Sequence, residues 1–315
     1  MSKKIKCRCC GKTITDSTSN GVKIYCSDAC RTKYNRGNCS LQNFKGGEMK
    51  IDEKYKDGIV GRPIKLNIKE LEVRPNKKYS EVIFCGDWHY GARECDVDRI
   101  KRMLDYCLKT KTYIFLMGDL IESGLKNSVG ASVYRQIHNP QKQMEKVISF
   151  LEPLAEKKLI LGILEGNHER RIEKETGISI TKIISNFLHV PYLRSACWNL
   201  WKVGKESYTI YALHGSSGSR FIYTKLKALV DISHSFNADL MAMGHVHEID
   251  DDSQIVQEVD KTRKIVIENK KFLILTGHYL RYDNSYVQEK GYPISKMGSP
   301  KVKFFSEKHD IHTSM

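Results

Sequence analysis

The chain has no run of about eighteen apolar residues, the length a membrane-crossing helix needs, so no segment is expected to span a bilayer. Proline is scarce, 7 in 315 residues, and no internal repeat is evident, while 40% of residues are apolar. That balance excludes a proline-rich or low-complexity chain and points to a globular one with a sizeable core. The opening Met1-Ser2-Lys3-Lys4-Ile5-Lys6 is not followed by an apolar stretch, which reads as lacking a secretory leader. A reduced, cytoplasmic setting is therefore expected. The 10 cysteines then read as thiols or metal ligands rather than as a disulfide framework.

What the chain does have is five short polar segments, each closing an apolar run of strand length. Gly86-Asp87-Trp88-His89 follows Val82–Cys85, and Gly118-Asp119 follows Tyr113–Met117. Gly166-Asn167-His168-Glu169 comes after Leu159–Leu164, His214-Gly215 ends Tyr208–Leu213, and Gly244-His245-Val246-His247 follows Leu240–Met243. Asp, Asn and His at the carboxyl ends of successive strands converge on one rim of a sheet, where open α/β folds bind ligands. A lone histidine at a strand end is more often a satisfied polar residue than a ligand. Here five of the chain's 11 histidines share the pattern, with two Asp and an Asn beside them, and chance does not account for that. Carboxylate oxygens mixed with imidazoles suit manganese, iron or zinc.

In this order the motifs resemble the calcineurin-like metallophosphoesterase superfamily, over roughly residues 80–247. The resemblance implies an α/β fold, a two-sheet β-sandwich flanked by helices, carrying two divalent ions, with manganese first and iron or zinc as alternatives. It implies that Asp87, His89 and His247 hold one ion, that Asn167, His214 and His245 hold the other, and that Asp119 bridges them. His168 would stand off the metals and act on the departing oxygen. Glu122 occupies the position of an acid that orients that histidine, where phosphatases usually carry Asp. Two nearby dications polarise phosphoryl oxygens and stabilise developing charge, so no Ser or Cys nucleophile is required. His278, after Phe272–Leu275, could equally face substrate or be a loop residue; His138, His189, His234, His309 and His312 match no motif.

A second constellation lies near the start: Cys7-x2-Cys10, 15 intervening residues, then Cys26-x3-Cys30. Thiolate pairs at this spacing suit one structural Zn2+, whose binding would supply the folding energy of a module too small to bury a core. Cys9 is an alternative to Cys7 or Cys10, and Cys39 reads as a bystander. Cys85, Cys95, Cys107 and Cys197 read as small core residues.

The charge of +15 is unevenly distributed. Residues 1–79 hold 19 Lys and Arg against 8 Asp and Glu, whereas the rest hold 33 against 29. A basic arm on a phosphate-cleaving domain suggests a polyanionic partner, although a merely solvated lysine-rich surface gives the same count. Within it, Gly61-Arg62-Pro63 with Lys65 resembles the core of a minor-groove arm, or a plain turn. The expected organisation is a zinc module at 1–38, a basic linker at 39–79, a catalytic domain at 80–285 and a C-terminal extension at 286–315. Helices are expected after Asp96 and Asn139 and around Leu226–Val230. Lys264–Ile267 and Phe272–Leu275 read as a hairpin across residues 268–271, and Val302–Phe305 as an edge strand.

The expected function is a two-metal phosphodiesterase acting on nucleic acid, DNA before RNA, resembling the nuclease-type branch and its phage and prophage members. Gly118–Gly124 lacks the Arg of the phosphatase Gly-Asp-x-Val-Asp-Arg-Gly element. The alternatives are a phosphomonoesterase with a zinc-finger docking module, and a non-catalytic nucleic-acid-binding protein.

Overall fold

The computed structural model describes residues 65–315 except 75, 127–132, 217–218, 220 and 284, together with residues 4–6 and 13–15. The chain divides into two units, Met1–Ile64 and Lys65–Met315. In the first, strands β1 (Lys4–Lys6) and β2 (Thr13–Thr15) pair antiparallel. The expected zinc ligands Cys7, Cys10, Cys26 and Cys30, and Arg62, lie outside the described residues.

The second unit is a sandwich of two mixed sheets. One runs β13-β12-β4-β5-β6, from Ile311–Ser314, Lys301–Phe305, Tyr79–Cys85, Tyr113–Leu116 and Ile160–Ile163. The other runs β10-β11-β9-β8-β7-β3, from Ile249–Asp260, Ile265–Thr276, Leu240–Met243, Glu206–Leu213, Ala196–Val203 and Asn67–Leu71. The period-two alternation of strands sorts their side chains between layers. Val82, Phe84, Phe115 and Met117 face inward onto Trp201, Tyr208, Ile210 and Ala242 of the other sheet. Their neighbours Ile83, Cys85, Ile114 and Leu116 face outward into a second core. That core is closed by Ile100 and Leu104 of α1 (Val97–Thr110), Val147 and Leu151 of α2 (Pro140–Glu156), and Ile184 of α4 (Ile180–Leu188). α3 (Asn167–Thr176) precedes α4, and α5 (Ile222–Ser233) covers the outer face of the six-stranded sheet through Leu229 on Met241, Met243 and Leu273. A single turn, α6 (Tyr286–Glu289), follows β11. Asp96 and Asn139 cap α1 and α2 as expected, accepting from Arg99 N–H at 3.0 Å and Lys142 N–H at 2.9 Å.

Three boundaries differ from the sequence reading. Asn67–Leu71, placed in the linker, pairs parallel with β7 and completes the six-stranded sheet. Lys301–Phe305, placed in the extension and read as an edge, lies between β4 and β13; the edge strand is Ile311–Ser314. The hairpin turns at residues 261–264, and Glu268–Lys271 is mid-strand, paired with Gln254–Gln257. Glu268, Asn269 and Lys270 are tolerated there because they are exposed, and buried Lys271 donates its ammonium to the Ser233 and Phe236 carbonyls at 2.9 and 2.6 Å. Among the described residues no helix is long and apolar enough to cross a membrane.

Candidate metal centre

The five polar segments sit on one rim, at the ends of β4, β5, β6, β8 and β9. Asp87, His89, Asp119, His245 and His247 all adopt positive φ, between 47° and 66°. Side chains rarely tolerate that conformation, and such strain gathers where a site over-determines the backbone. Gly166 permits the closest approach: a Cβ there would collide with the Asp119 carboxylate.

Besides the trio His89, Glu122 and His168, two groups of donor atoms converge. Asp87, His89 and His247 form one, with His247 Nε2 3.3 Å from Asp87 Oδ1 and 3.1 Å from His89 Nε2. Asp119, His214 and His245 form the other, with His214 Nε2 3.3 Å from Asp119 Oδ2. Asn167 Oδ1 joins them, 3.0 Å from His214 Nε2 and 2.7 Å from His245 Nδ1. Asp119 Oδ2 is also 3.9 Å from His89 Nε2, so it lies between the groups.

Each carboxylate spends one oxygen on the scaffold. Asp87 Oδ2 accepts from His245 N–H at 2.9 Å and Asp119 Oδ1 from His168 N–H at 2.8 Å. Their other oxygens, Asp87 Oδ1 and Asp119 Oδ2, are buried with no hydrogen-bond partner. Buried anionic oxygens without donors are costly unless a cation faces them. Tautomers are set from behind the cluster: His89 Nδ1 faces Glu122 Oε2 at 3.0 Å, and His214 Nδ1 faces the Met117 carbonyl oxygen at 2.8 Å. Each Nδ1 carries the proton, which leaves Nε2 as a lone-pair donor aimed into the cluster. Divalent cations fit this donor set.

Without a metal ion, Nε2 of His89 and His214 is protonated as well, and these imidazolium charges offset the buried carboxylates until a cation displaces the protons. Burial depresses His89, but the Glu122 carboxylate outweighs it and raises the pKa to about 9. His214 is likewise opposed by burial and lifted by Asp119 to about 10. Burial, helped by His214, lowers His245 to about 4. Burial works against ionised Asp119 too, yet His214 and His168 hold its carboxyl well below the usual range.

Residues 80–287, more than half the chain, match the family profile described as calcineurin-like phosphoesterase. The chain belongs to the calcineurin-like phosphoesterase family. As a member it is a metal-dependent hydrolase by family, built on an α/β scaffold. Solved structures similar to it include the phosphoesterase Yfce from E. coli, 13% identical, with 74% of this chain and 98% of that one covered and a TM-score of 0.35. A metallophosphoesterase from Sphaerobacter thermophilus is 13% identical over 75% and 88% of the two chains, TM-score 0.32. Vacuolar Protein Sorting 29 from Cryptosporidium parvum is 13% identical over 76% and 98%, TM-score 0.33. No curated protein matches the sequence.

In this calcineurin-like domain the structure brings together the nine rim residues singled out from sequence. Glu122 differs in its contacts: its carboxylate is nearer His89 Nδ1, at 3.0 Å, than His168 Nδ1, at 3.4 Å. His168 Nδ1 instead donates to the Glu122 carbonyl oxygen at 2.8 Å. Lys65 is exposed just before β3 and is not part of the cluster.

Three residues carry roles that strand-end motifs do not reveal. Glu169 is buried, and its carboxylate accepts from the N–H groups of Asp119, Leu120, Ile121 and Gly166 at 2.6–3.2 Å, clamping the Asp119 loop. Arg171 places Nη2 2.9 Å from His168 Nε2. His278 stacks on His247, ring centroids 5.2 Å apart, and its Nε2 lies 2.8 Å from Ser295 Oγ. The i, i+3 spacing of His168 and Arg171 was the available signal for the second.

Proposed function

We propose that the protein is a two-metal phosphodiesterase that hydrolyses nucleic-acid phosphodiester bonds, with DNA as the first substrate to test. The observation that carries the metal part is the pair of unpartnered buried oxygens, Asp87 Oδ1 and Asp119 Oδ2, each 3.3 Å from an imidazole Nε2, of His247 and His214 respectively. Asp87, His89 and His247 would hold one ion, Asn167, His214 and His245 the other, and Asp119 both. Manganese is the first candidate, iron and zinc the alternatives. Bound there, the ions supply Lewis acidity and charge for the phosphoryl oxygens.

The remaining chemistry belongs to the chain. His168 is held through Nδ1 on the Glu122 carbonyl with Nε2 beside Arg171 in the cavity; in its imidazolium form Nε2–H leaves Arg171 and delivers a proton to the departing oxygen. Arg171, Lys225 and Arg281 line the same cavity and favour an anionic substrate. The nucleic-acid part rests on the basic first 79 residues, with the Cys7, Cys10, Cys26 and Cys30 zinc module and the Arg62 and Lys65 segment engaging backbone phosphates.

A panel of p-nitrophenyl phosphate, bis-p-nitrophenyl phosphate, single-stranded DNA, duplex DNA and RNA with Mn-loaded protein tests this. Turnover of the diester and a nucleic acid above the monoester is expected. A monoester preference without nucleic-acid cleavage would sink the reading in favour of a phosphomonoesterase.

A further inference from the structure

The donor cluster opens into a cavity of about 470 Å³, part of whose wall has a different chemistry. Leu280, Val287, Tyr292, Pro293, Ile294 and Met297 contribute apolar and aromatic surface to it, all from the segment after β11. Ile294 is 73% exposed, an unusual state for a large aliphatic side chain lining an active-site cavity.

The wall is tied down along its length. His278 Nε2 donates to Ser295 Oγ at 2.8 Å, Arg99 Nη1 to the Met297 carbonyl at 3.1 Å, and Gly298 N–H to the His278 carbonyl at 2.9 Å. Arg281 N–H donates to the Glu94 carbonyl at 2.9 Å, and Arg135 Nη1 pairs with Glu289 Oε1 at 2.6 Å. These contacts hold the apolar face in the cavity that His168 and Arg171 also line, so it is part of the site and not a passing loop.

We infer that this wall is a subsite for the nucleoside next to the scissile phosphate, and that it selects the end of a single strand or a short oligonucleotide over an internal duplex position. The inference rests on the phosphodiesterase reading and narrows it. Inorganic or phosphoprotein phosphate would leave the apolar wall facing water, whereas a nucleoside covers it and stacks on Tyr292. The volume sits low in the range of small-ligand sites, roughly 300–1,000 Å³. That holds a nucleotide unit and excludes a duplex. Arg281, on the same segment, is placed for the next phosphate.

The test compares two diesters with one leaving group: thymidine 5′-(p-nitrophenyl phosphate) and methyl p-nitrophenyl phosphate. The Mn-loaded full chain should favour the thymidine ester in kcat/KM by about 10–100-fold, the factor expected of roughly 1–3 kcal/mol of apolar contact. Ile294→Asp, at an exposed position, should bring that ratio towards one. Linear single-stranded DNA should be degraded at least tenfold faster than the same sequence closed into a circle. Turnover of both esters at equal rates, or circles cut as fast as linear strands, would overturn the subsite while leaving the phosphodiesterase reading intact. Failure to turn over either ester would overturn that reading, and the subsite with it.

Discussion

Arg171 Nη2 lies 2.9 Å from His168 Nε2, one turn further along α3. A guanidinium donates and does not accept, so the imidazole presents its lone pair at Nε2 and carries its proton on Nδ1, directed to the Glu122 carbonyl. The chain thus fixes the histidine's orientation from both nitrogens. It also parks a permanent cation beside the cavity, at a site other than that of the Arg the phosphatase element would have supplied.

His168→Ala should retain both metals and lose about 10²–10⁴-fold in kcat, most severely on esters with poor leaving groups. Arg171→Ala should cost roughly 10–100-fold in kcat/KM, the worth of one charge-assisted hydrogen bond, with Arg171→Lys recovering part of it. Elemental analysis and a leaving-group series read both. Loss of metal from the His168 variant would reverse its assignment from proton donor to ligand.

His89→Ala, Asp119→Asn and His245→Ala should each abolish activity without unfolding the domain. The sheets are held by Val82, Phe84, Phe115, Trp201 and Tyr208, none of which depends on the rim. Circular dichroism should be unchanged while metal content falls. Full activity in any of the three would remove that residue from the ligand set.

Glu169→Gln should destabilise the protein. The carboxylate meets four backbone N–H donors, and an amide presents only one oxygen, so some N–H groups are left facing an NH2. The cost is about 2–4 kcal/mol for buried donors around a charged acceptor, roughly 5–10 °C in Tm for a domain of this size. Activity should fall with it, because the same N–H groups position Asp119. An unchanged melting curve would mean the loop is held by other contacts.

The rim was legible in the sequence because its chemistry is local: Gly118-Asp119 or Gly244-His245 shows both the end of a buried strand and the ligand that follows it. The helix starts at Asp96 and Asn139 were legible for the same reason. β3 was missed because Asn67-Ile68-Lys69-Glu70-Leu71 is an edge strand with exposed polar positions. β12 was underrated because its burial comes from β4, over 200 residues earlier, and from no pattern of its own. Glu169 stood in view in the Gly-Asn-His-Glu motif, but its partners belong to the Asp119 loop, and only the fold brings them together.

The metal-free protein should have a definite pH optimum of stability. His89 and His214, raised to about 9 and about 10 from 6.5, contribute stability that is complete below pH 6.5 and lost as pH rises through 9 and 10. His245 and His278, lowered to about 4 and about 3, act oppositely: they favour the fold above pH 6.5 and lose that contribution as pH falls. Metal-free protein should therefore melt highest near about pH 6.5 and lose stability on both sides, progressively as pH rises to about 9–10 and as it falls to about 4. Adding metal at pH 7 should release protons, since the ligands bind as neutral imidazoles. Calorimetry in buffers of different ionisation enthalpy measures that release, and none detected would mean that His89 and His214 are already neutral before metal arrives.

The last prediction concerns the unit Met1–Ile64, which holds 14 Lys and Arg against 6 Asp and Glu. If it grips a nucleic-acid backbone, its affinity derives from displaced counterions. Log K for duplex should then fall with log salt at a slope of about −0.9 for each phosphate neutralised. Removing residues 1–64 keeps β3 and hence the whole six-stranded sheet. The truncated protein should show a flatter salt slope and a higher KM for DNA, while kcat for bis-p-nitrophenyl phosphate stays the same. The lost fragment should account for one tightly held equivalent of zinc, separable from the two at the rim. Arg62→Ala should weaken binding to AT-rich duplex more than to GC-rich duplex if the arm enters the minor groove. Equal DNA binding by the full and truncated chains at low salt would detach the basic arm from function, and with it the main reason to prefer a nuclease over a phosphatase.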